Sequence, residues 1–217
     1  MEQEILKDWQ KKVIRFLTSF DNWSDNFYLT GGTALAGYYL HHRISDDLDF
    51  FSHEEVDSIF IHKLAEDLKA IIGSGNMRFS RLYDRYQFFY TVNEEEYKIE
   101  FTRYPFKQLE EVKVFNDLKV DGQFDIAANK LITIVDRFDP KDFVDLYFLL
   151  QKYGLDKLVE GVEKKFGSKL SPLTVGSSFS RVKDIVALPK MTVDLSVEEL
   201  KNFFTAEAKK LSLSILE

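Results

Sequence analysis

Residues 28–36 read YLTGGTALA, and residues 42–51 read HRISDDLDFF. In the first stretch an apolar run ends at Gly31 and Gly32 and helix-favouring residues follow, which predicts a strand that turns directly into a helix. Two glycines allow positive φ and close approach of the backbone, and the first turn of a helix has unpaired N–H groups. This combination suits the binding of a phosphate group.

Two acids lie in the second stretch, where Asp47 is predicted to begin another strand. Alternation along that strand sends Leu48 and Phe50 to one face and places Asp47 and Asp49 on the other. The two carboxylates are then about 7 Å apart along the strand, and they repel each other unless a cation lies between them. Hard oxygen ligands beside a phosphate site suit Mg²⁺. The alternative is a pair of surface carboxylates after a tight turn.

The two stretches together resemble motif I of the nucleotidyltransferase superfamily, and specifically its AbiEii/AbiGii-like abortive-infection toxin branch. The resemblance rests on GGTAL at 31–35, followed by HR-x-S-x-DLDFF at 42–51. It implies an enzyme that uses Mg²⁺ to move a nucleoside monophosphate from an NTP to an RNA end, tRNA-like, or to a protein hydroxyl. It also implies the toxin of a toxin–antitoxin pair, with a cognate antitoxin as partner.

The resemblance assigns nucleotide-binding roles to residues around these motifs. Gly31, Gly32 and the hydroxyl of Thr33 are implied to hold the β- and γ-phosphates. Arg43 and Ser45 are implied either to contact the nucleotide or to order the loop before the two acids, and the sequence does not choose between these roles.

A third acid follows in a region where the apolar period changes to two. This period predicts strands at 77–83, 86–92 and 97–104, with a hairpin turn at 93–95 between the last two. The resemblance implies that Glu100, on the last of these strands, completes the metal site and is catalytic together with Asp47 and Asp49. The alternative is a solvated strand glutamate.

Beyond residue 113 the composition becomes helical. Asp125 is predicted to cap one helix. That helix carries Lys130 and Arg137, which project together from one side. A second helix is predicted to begin at Asp139, as cap, with Pro140 at its first position.

The second of these helices carries Asp142 and Asp145 on one face. With Lys130 they resemble the later motifs of the same toxin branch, in which a helical lysine contacts the triphosphate and an Asp-x-x-Asp follows. The resemblance therefore implies that all three bind the nucleotide. The alternative is structural: Asp142 caps its helix, and Asp145 pairs with Arg137 or Lys130.

The remaining signals complete an α/β prediction. Residues 155–166 are predicted to be helical, residues 168–180 to be a loop, and a capping box at Ser196 to open a last helix. We expect a nucleotidyltransferase-like domain in residues 1–111, with a short mixed sheet, flanking helices and an N-terminal helix. A mostly helical C-terminal domain is expected in residues 112–217.

Composition sets broad bounds on the class of protein. The 217 residues include no cysteine, which excludes disulfides and thiolate metal sites and fits a reducing cytoplasm. The net charge of −7 argues against a surface coated in phosphate-binding lysines, but a local basic groove is compatible with it. No apolar stretch approaches the length of a membrane-spanning helix and the N-terminus lacks a signal peptide, so we expect a cytoplasmic protein without a membrane partner.

Two functions from different classes are compatible with the sequence. One is the nucleotidyltransferase described above. The other is a catalytically inactive nucleotide-binding module that acts through protein partners. Asp47, Asp49 and Glu100 favour the enzyme, because a binding module has no need of three clustered acids that repel one another without a metal.

Overall fold

The computed structural model describes residues 5–20 and 23–213, which form a mixed α/β fold. The chain divides into two compact units. The first contains the described residues within 1–106 together with 111–121, and the second contains those within 107–110 and 122–217. In this described part of the chain, no helix is both long enough and apolar enough to cross a membrane.

The first unit is built on one mixed sheet, which has seven strands among the described residues. The strands are β1 Tyr28–Thr30, β2 Leu48–Ser52, β3 Asn76–Leu82, β4 Arg85–Val92, β5 Glu95–Arg103, β6 Lys113–Phe115 and β7 Leu118–Val120. Their order across the sheet is β3-β4-β5-β2-β1-β7-β6. The pairs β2–β5 and β1–β7 are parallel and the other pairs are antiparallel, so the predicted mixed sheet is confirmed.

Helices flank this sheet in the first unit. They are α1 Asp8–Leu17, α2 Trp23–Asn26, α3 Gly31–Leu35, which continues as a π-helix over Ala36–Leu40, and α4 Ser58–Ile72. The predicted passage from strand to helix is therefore present, because β1 ends at Thr30 and α3 begins at the next residue. Helix α4 ends at Gly73, which is its C-terminal cap and adopts a left-handed conformation with a φ of 77°.

Alternation along the strands gives the sheet an apolar face and a polar face. Phe50 of β2, Phe88 of β4 and Phe101 of β5 are fully buried on the apolar face, where the Trp23 ring meets Phe50 edge to face. The other face carries a polar row, because directly opposed residues of neighbouring strands share a face. That row runs across five strands through Thr30, Asp49, Glu100, Gln87 and Ser80.

The second unit is helical. Its helices are α5 Gln123–Asp136, α6 Pro140–Tyr153, α7 Leu155–Phe166, α8 Pro172–Ser180 and α9 Val197–Leu213, with a 3-10 turn at Arg181–Asp184. The carboxylate of Asp139 accepts a hydrogen bond from the Lys141 backbone N–H at 2.9 Å, which confirms it as the cap of α6. Ser196 and Glu199 form the predicted capping box reciprocally, at 2.8 and 3.1 Å.

Two predictions for the second unit are wrong. Asp125 does not cap α5, since Gly122 is the cap residue and Asp125 lies inside the helix. Its buried carboxylate instead binds the Lys165 ammonium at 2.6 Å and the backbone N–H of Glu110 at 2.8 Å. The predicted loop at 168–180 is also wrong for residues 172–180, because Ser171 caps a nine-residue helix there by accepting from the Thr174 N–H at 3.0 Å.

Candidate active site

The glycine turn lies directly against the acidic segment. Gly31 has a φ of 71°, and a Cβ at this position would lie 2.7 Å from Oδ2 of Asp49. A Cβ on Gly32 would lie 2.6 Å from Nη2 of Arg43 and 2.9 Å from Oγ of Ser45. A side chain at either position would have to displace these side-chain atoms, and at Gly31 it would also have to adopt a left-handed backbone.

Thr33, Arg43 and Ser45 hold this turn and the loop before β2 together. The Thr33 hydroxyl donates a short hydrogen bond to the carbonyl of Asp47, so its one O–H hydrogen is used within the protein. Arg43 is buried, and its Nη1 donates to the Ile44 carbonyl at 3.0 Å. These contacts fit the loop-ordering role that the sequence left open for Arg43 and Ser45.

Residues of helix α1 and the residue before it also contact the loop before β2. The buried amide of Gln10 donates to the carbonyl of Ser45 at 2.9 Å. Lys7, the residue before α1, pairs with Asp46 at 2.6 Å. The N-terminal helix therefore positions the segment that carries the first acid.

The three acids converge on one ammonium group. Nζ of Lys98 lies 3.5 Å from Asp47, 3.3 Å from Asp49 and 3.3 Å from Glu100. The exposed fractions of the acid side chains are 44% for Asp47, 22% for Asp49 and 1% for Glu100. Solvent can therefore reach the first two carboxylates, whereas Glu100 lies at the closed end of the cluster.

Glu100 is held by four donor side chains. Arg85 binds it with two nitrogens, at 2.6 and 3.0 Å, and Gln87 donates to it at 2.9 Å. Thr102 donates at 2.8 Å and Lys98 at 3.3 Å. The alternative of a solvated strand glutamate is wrong, because the side chain is buried and its oxygens accept from the protein.

The charges of the cluster shift its pKa values in opposite directions. Burial raises the pKa of Asp49, and the neighbouring charges of Glu100 and Asp47 add to the rise. Burial also opposes ionisation of Glu100, but the hydrogen bonds from Arg85 and the charge of Lys98 outweigh it and lower the pKa to about 2. For Lys98 the three acids outweigh burial and raise the pKa, so this amine is firmly charged.

Arg85, Gln87, Lys98 and Thr102 were not identified as site residues from the sequence. The signal that could have found them is the strand register. A two-residue turn at 93–94 places Gln87 opposite Glu100 and Arg85 opposite Thr102, on the same face of the sheet.

Lys130, Asp142 and Asp145 form a separate cluster within the second unit. Nζ of Lys130 lies 2.7 Å from Asp142 and 2.6 Å from Asp145, and Arg137 binds Asp142 at 2.8 Å. The side chains of Lys130, Asp142 and Asp145 are 11%, 1% and 0% exposed. Asp139, and not Asp142, is the cap of α6. The pairing of Asp145 with Lys130, which the sequence offered as an alternative, is present in the structure.

The donor atoms of the first cluster meet the requirements of Mg²⁺ in chemistry but not in their present distances. Within residues 5–20 and 23–213, no group of three or more His, Cys, Asp or Glu side chains has the arrangement of a metal site. The acids surround the Lys98 ammonium at 3.3 to 3.5 Å, whereas Mg²⁺ binds its oxygen ligands at about 2.0–2.1 Å. Asp47 and Asp49 nevertheless fit the ion, because they are accessible hard oxygen donors that face a position already occupied by a cation.

The sequence and the fold both match known proteins. The family model for the nucleotidyl transferase AbiEii toxin of type IV toxin–antitoxin systems matches residues 15–211. An uncharacterized protein of Aquifex aeolicus (strain VF5) is 32% identical over 210 residues, which cover 94% of this chain and 97% of that protein.

Two solved structures show the same fold. One, described as a candidate nucleotidyltransferase from H. pylori, has a TM-score of 0.61 and 21% identity over 100% of this chain and 96% of that one. The other is MenT4, a nucleotidyltransferase toxin from Mycobacterium tuberculosis H37Rv, with a TM-score of 0.58 and 17% identity over 94% of this chain and 81% of that one. At these identities the likeness concerns the fold alone.

Proposed function

We propose that this chain, which belongs to the AbiEii nucleotidyltransferase toxin family, is a Mg²⁺-dependent enzyme that transfers a nucleoside monophosphate from an NTP to an RNA end or a protein hydroxyl. The observation that carries the proposal is the convergence of Asp47, Asp49 and Glu100 on one cationic centre. The glycine turn at 31–32 lies against that centre, where the phosphates of an NTP would need donors.

Asp47 and Asp49 would hold the metal in this proposal, with Glu100 as the third acid behind them. A bound Mg²⁺ would lower the pKa of the attacking hydroxyl and neutralise charge on the phosphates. The part of the protein itself is to keep the carboxylates in place. Four donor side chains fix Glu100, and the Thr33 hydroxyl fixes the backbone at Asp47.

Further residues are proposed to bind the nucleotide. Gly31 and Gly32 would present backbone N–H groups to the β- and γ-phosphates, and Arg43 and Ser45 would keep that turn in shape. Lys130 would neutralise the triphosphate, with Asp142 and Asp145 setting the position of its ammonium. Thr33 would belong to the nucleotide-binding residues by holding the glycine turn against the backbone of Asp47, to which its hydroxyl donates.

In the proposed reaction the acceptor oxygen bonds to the α-phosphorus while the bond to the β-phosphate oxygen breaks. The acceptor hydroxyl gives up its proton to solvent water, and pyrophosphate leaves in line with the attack. We propose the cytoplasm as the compartment and a tRNA-like RNA or a protein as the acceptor. A cognate antitoxin is the proposed partner that restrains the activity.

The alternative, an inactive nucleotide-binding module, is separated from the enzyme by one labelling experiment. The wild-type protein is incubated with Mg²⁺, each α-labelled NTP in turn, and either total RNA or total cell protein. We expect label in one of the two acceptor pools, and no label with Asp47→Asn, because that variant keeps the shape of the side chain but loses the charge that holds the ion. Equal labelling by the variant would remove Asp47 from the site, and no labelling in either pool would favour the binding module.

A further inference from the structure

Lys98 occupies the centre of the acidic cluster. Its Nζ is within 3.5 Å of all three carboxylates, and its side chain is only 19% exposed. It lies two residues before Glu100 on β5, so alternation places both side chains on the polar face of the sheet. The strand therefore places the lysine on the same face of the sheet as Glu100.

The charge balance of the cluster depends on this lysine. Glu100 has a second cation, because Arg85 pairs with it at 2.6 Å. Asp47 and Asp49 differ, since Lys98 is the one cationic side chain of residues 5–20 and 23–213 that pairs with either of them. Without Lys98 the two accessible acids would repel each other with no positive charge between them.

We propose that Lys98 is an internal counter-cation, which holds Asp47 and Asp49 together in the absence of a divalent ion and competes with that ion for the same oxygens. The inference rests on the proposed function in one respect, namely that these two acids hold the metal. An ammonium group at 3.3 to 3.5 Å and a divalent ion at about 2.1 Å from the same oxygens would lie almost on top of each other and repel strongly. Metal binding therefore requires Nζ to leave, and the flexible four-carbon stem of lysine allows this movement.

Two consequences distinguish this role from that of an ordinary ion pair. The protein should be stable without a divalent ion, because the lysine already balances the acids. Its affinity for the ion is reduced, because each binding event must displace the ammonium. Removing the lysine charge should therefore weaken the metal-free protein and strengthen metal binding at the same time.

The test measures binding of Mn²⁺, whose free concentration is followed by electron paramagnetic resonance, to the wild type and to Lys98→Gln. We expect Lys98→Gln to bind at least about tenfold more tightly, since a like charge at contact distance in partly buried surroundings costs at least that much. The matched control is Lys69→Gln, because Lys69 lies outside the cluster. Its ammonium pairs with Glu66 at 3.1 Å. Asp49→Asn identifies the site and should lose the binding. Equal or weaker binding by Lys98→Gln overturns the proposal.

A stability measurement covers the case in which Lys98→Gln folds poorly. In EDTA we expect its urea midpoint to fall below that of the wild type, and in saturating Mn²⁺ we expect the midpoint to recover, because the ion replaces the missing charge. A midpoint that stays low in Mn²⁺ overturns the proposal, since the lysine would then be needed for packing.

The outcomes also separate this inference from the proposed function. If wild type and Lys98→Gln bind Mn²⁺ equally and the wild type transfers labelled nucleotide, the enzyme reading stands and the competition is refuted. If neither protein binds Mn²⁺, the metal site fails and the competition fails with it. If Lys98→Gln binds Mn²⁺ more tightly than the wild type does, this result supports competition between Lys98 and the ion, whether or not an acceptor has been found.

Discussion

Replacing Lys130 with methionine should strongly destabilise the protein, because its ammonium is shared by two buried carboxylates. Methionine keeps a long unbranched side chain but removes the charge. Asp142 and Asp145 are 1% and 0% exposed, so neither can recover hydration where it lies. The perturbation therefore leaves negative charge inside the second unit rather than on its surface.

The expected loss of unfolding free energy depends on whether each carboxylate still pairs with another cation after the substitution. Removing one partner of a buried ion pair costs about 3–5 kcal/mol. Asp142 retains the Arg137 guanidinium at 2.8 Å, which is 57% exposed, so part of its charge stays compensated. We therefore expect about 3 kcal/mol for Lys130→Met, the lower end of that range.

The assay is urea unfolding at neutral pH, followed by far-ultraviolet circular dichroism. With a slope of about 2 kcal/mol per molar urea, a loss of about 3 kcal/mol lowers the midpoint by about 1.5 M. Lys141→Met on α6 is the control, because that lysine is exposed and carries the same charge. Adding Asp145→Asn to Lys130→Met should restore part of the stability, since it removes the carboxylate that lost its ammonium.

A loss below about 1 kcal/mol for Lys130→Met would refute this reasoning, since that is the scale of an exposed ion pair. Calorimetric titration of NTP with Mg²⁺ into the same protein tests the proposed nucleotide role separately. A lysine that binds the triphosphate should contribute about 1.5–3 kcal/mol of affinity, the scale of a hydrogen bond to a charged group. Unchanged NTP affinity would leave Lys130 with a structural role alone.

Three further predictions concern the glycine turn and the last helix. Gly31→Ala should lower the free energy of unfolding by about 1–3 kcal/mol, because the backbone is left-handed there and the new Cβ would meet Asp49. Urea unfolding measures this loss, and an unchanged midpoint would contradict the close approach. Ser196→Ala should cost about 1 kcal/mol by the same measurement through loss of the capping box, and an unaltered midpoint would show that α9 does not need it. Hydrogen bonds from Ser196 lower the pKa of Glu199 from its ordinary 4.5, so its stabilisation is complete above that value and is lost as pH falls through the lowered pKa. The difference in urea midpoint between wild type and Glu199→Gln should therefore shrink in acid, and a difference independent of pH would argue against this assignment.

The parts of the fold that could be predicted are those with a local cause. The passage from β1 into α3 follows from Gly31 and Gly32, which act on their own backbone. The cap at Asp139 and the capping box at Ser196 are equally local, because donor and acceptor lie within three residues. The loop prediction fails at residues 172–180 because a composition rich in turn residues is also compatible with a capped helix that is stabilised by packing.

The acids of the candidate site could be predicted from the sequence, but the cations that pair with them, Lys98 and Arg85, could not. The resemblance assigned Asp47, Asp49 and Glu100, and the register of β2 and β5 places Asp49 opposite Glu100. The position of the Lys98 ammonium was not predicted, because alternation gives the face of a residue and not the distance of its ammonium from another strand. Its position depends on the neighbouring strand, which lies far away in the sequence.

The second cluster shows the same limit. The sequence predicted that Lys130 and Arg137 project together and offered pairing with the acids as an alternative. It did not predict that Asp145 is fully buried, since burial depends on the packing of α5 against α6. A pair that would contribute little at the surface is expected to be much more important here for that reason.

The central claim is nucleotidyl transfer that depends on the acidic cluster, and the position of the label tests it most directly. The protein is incubated with Mg²⁺ and total RNA or total cell protein, using the same NTP labelled either at the α- or at the γ-phosphate. The account predicts stable label in the acceptor from the α-labelled NTP alone, and none with Asp49→Asn. Transfer of the γ-label, or full transfer of the α-label by Asp49→Asn, would contradict it.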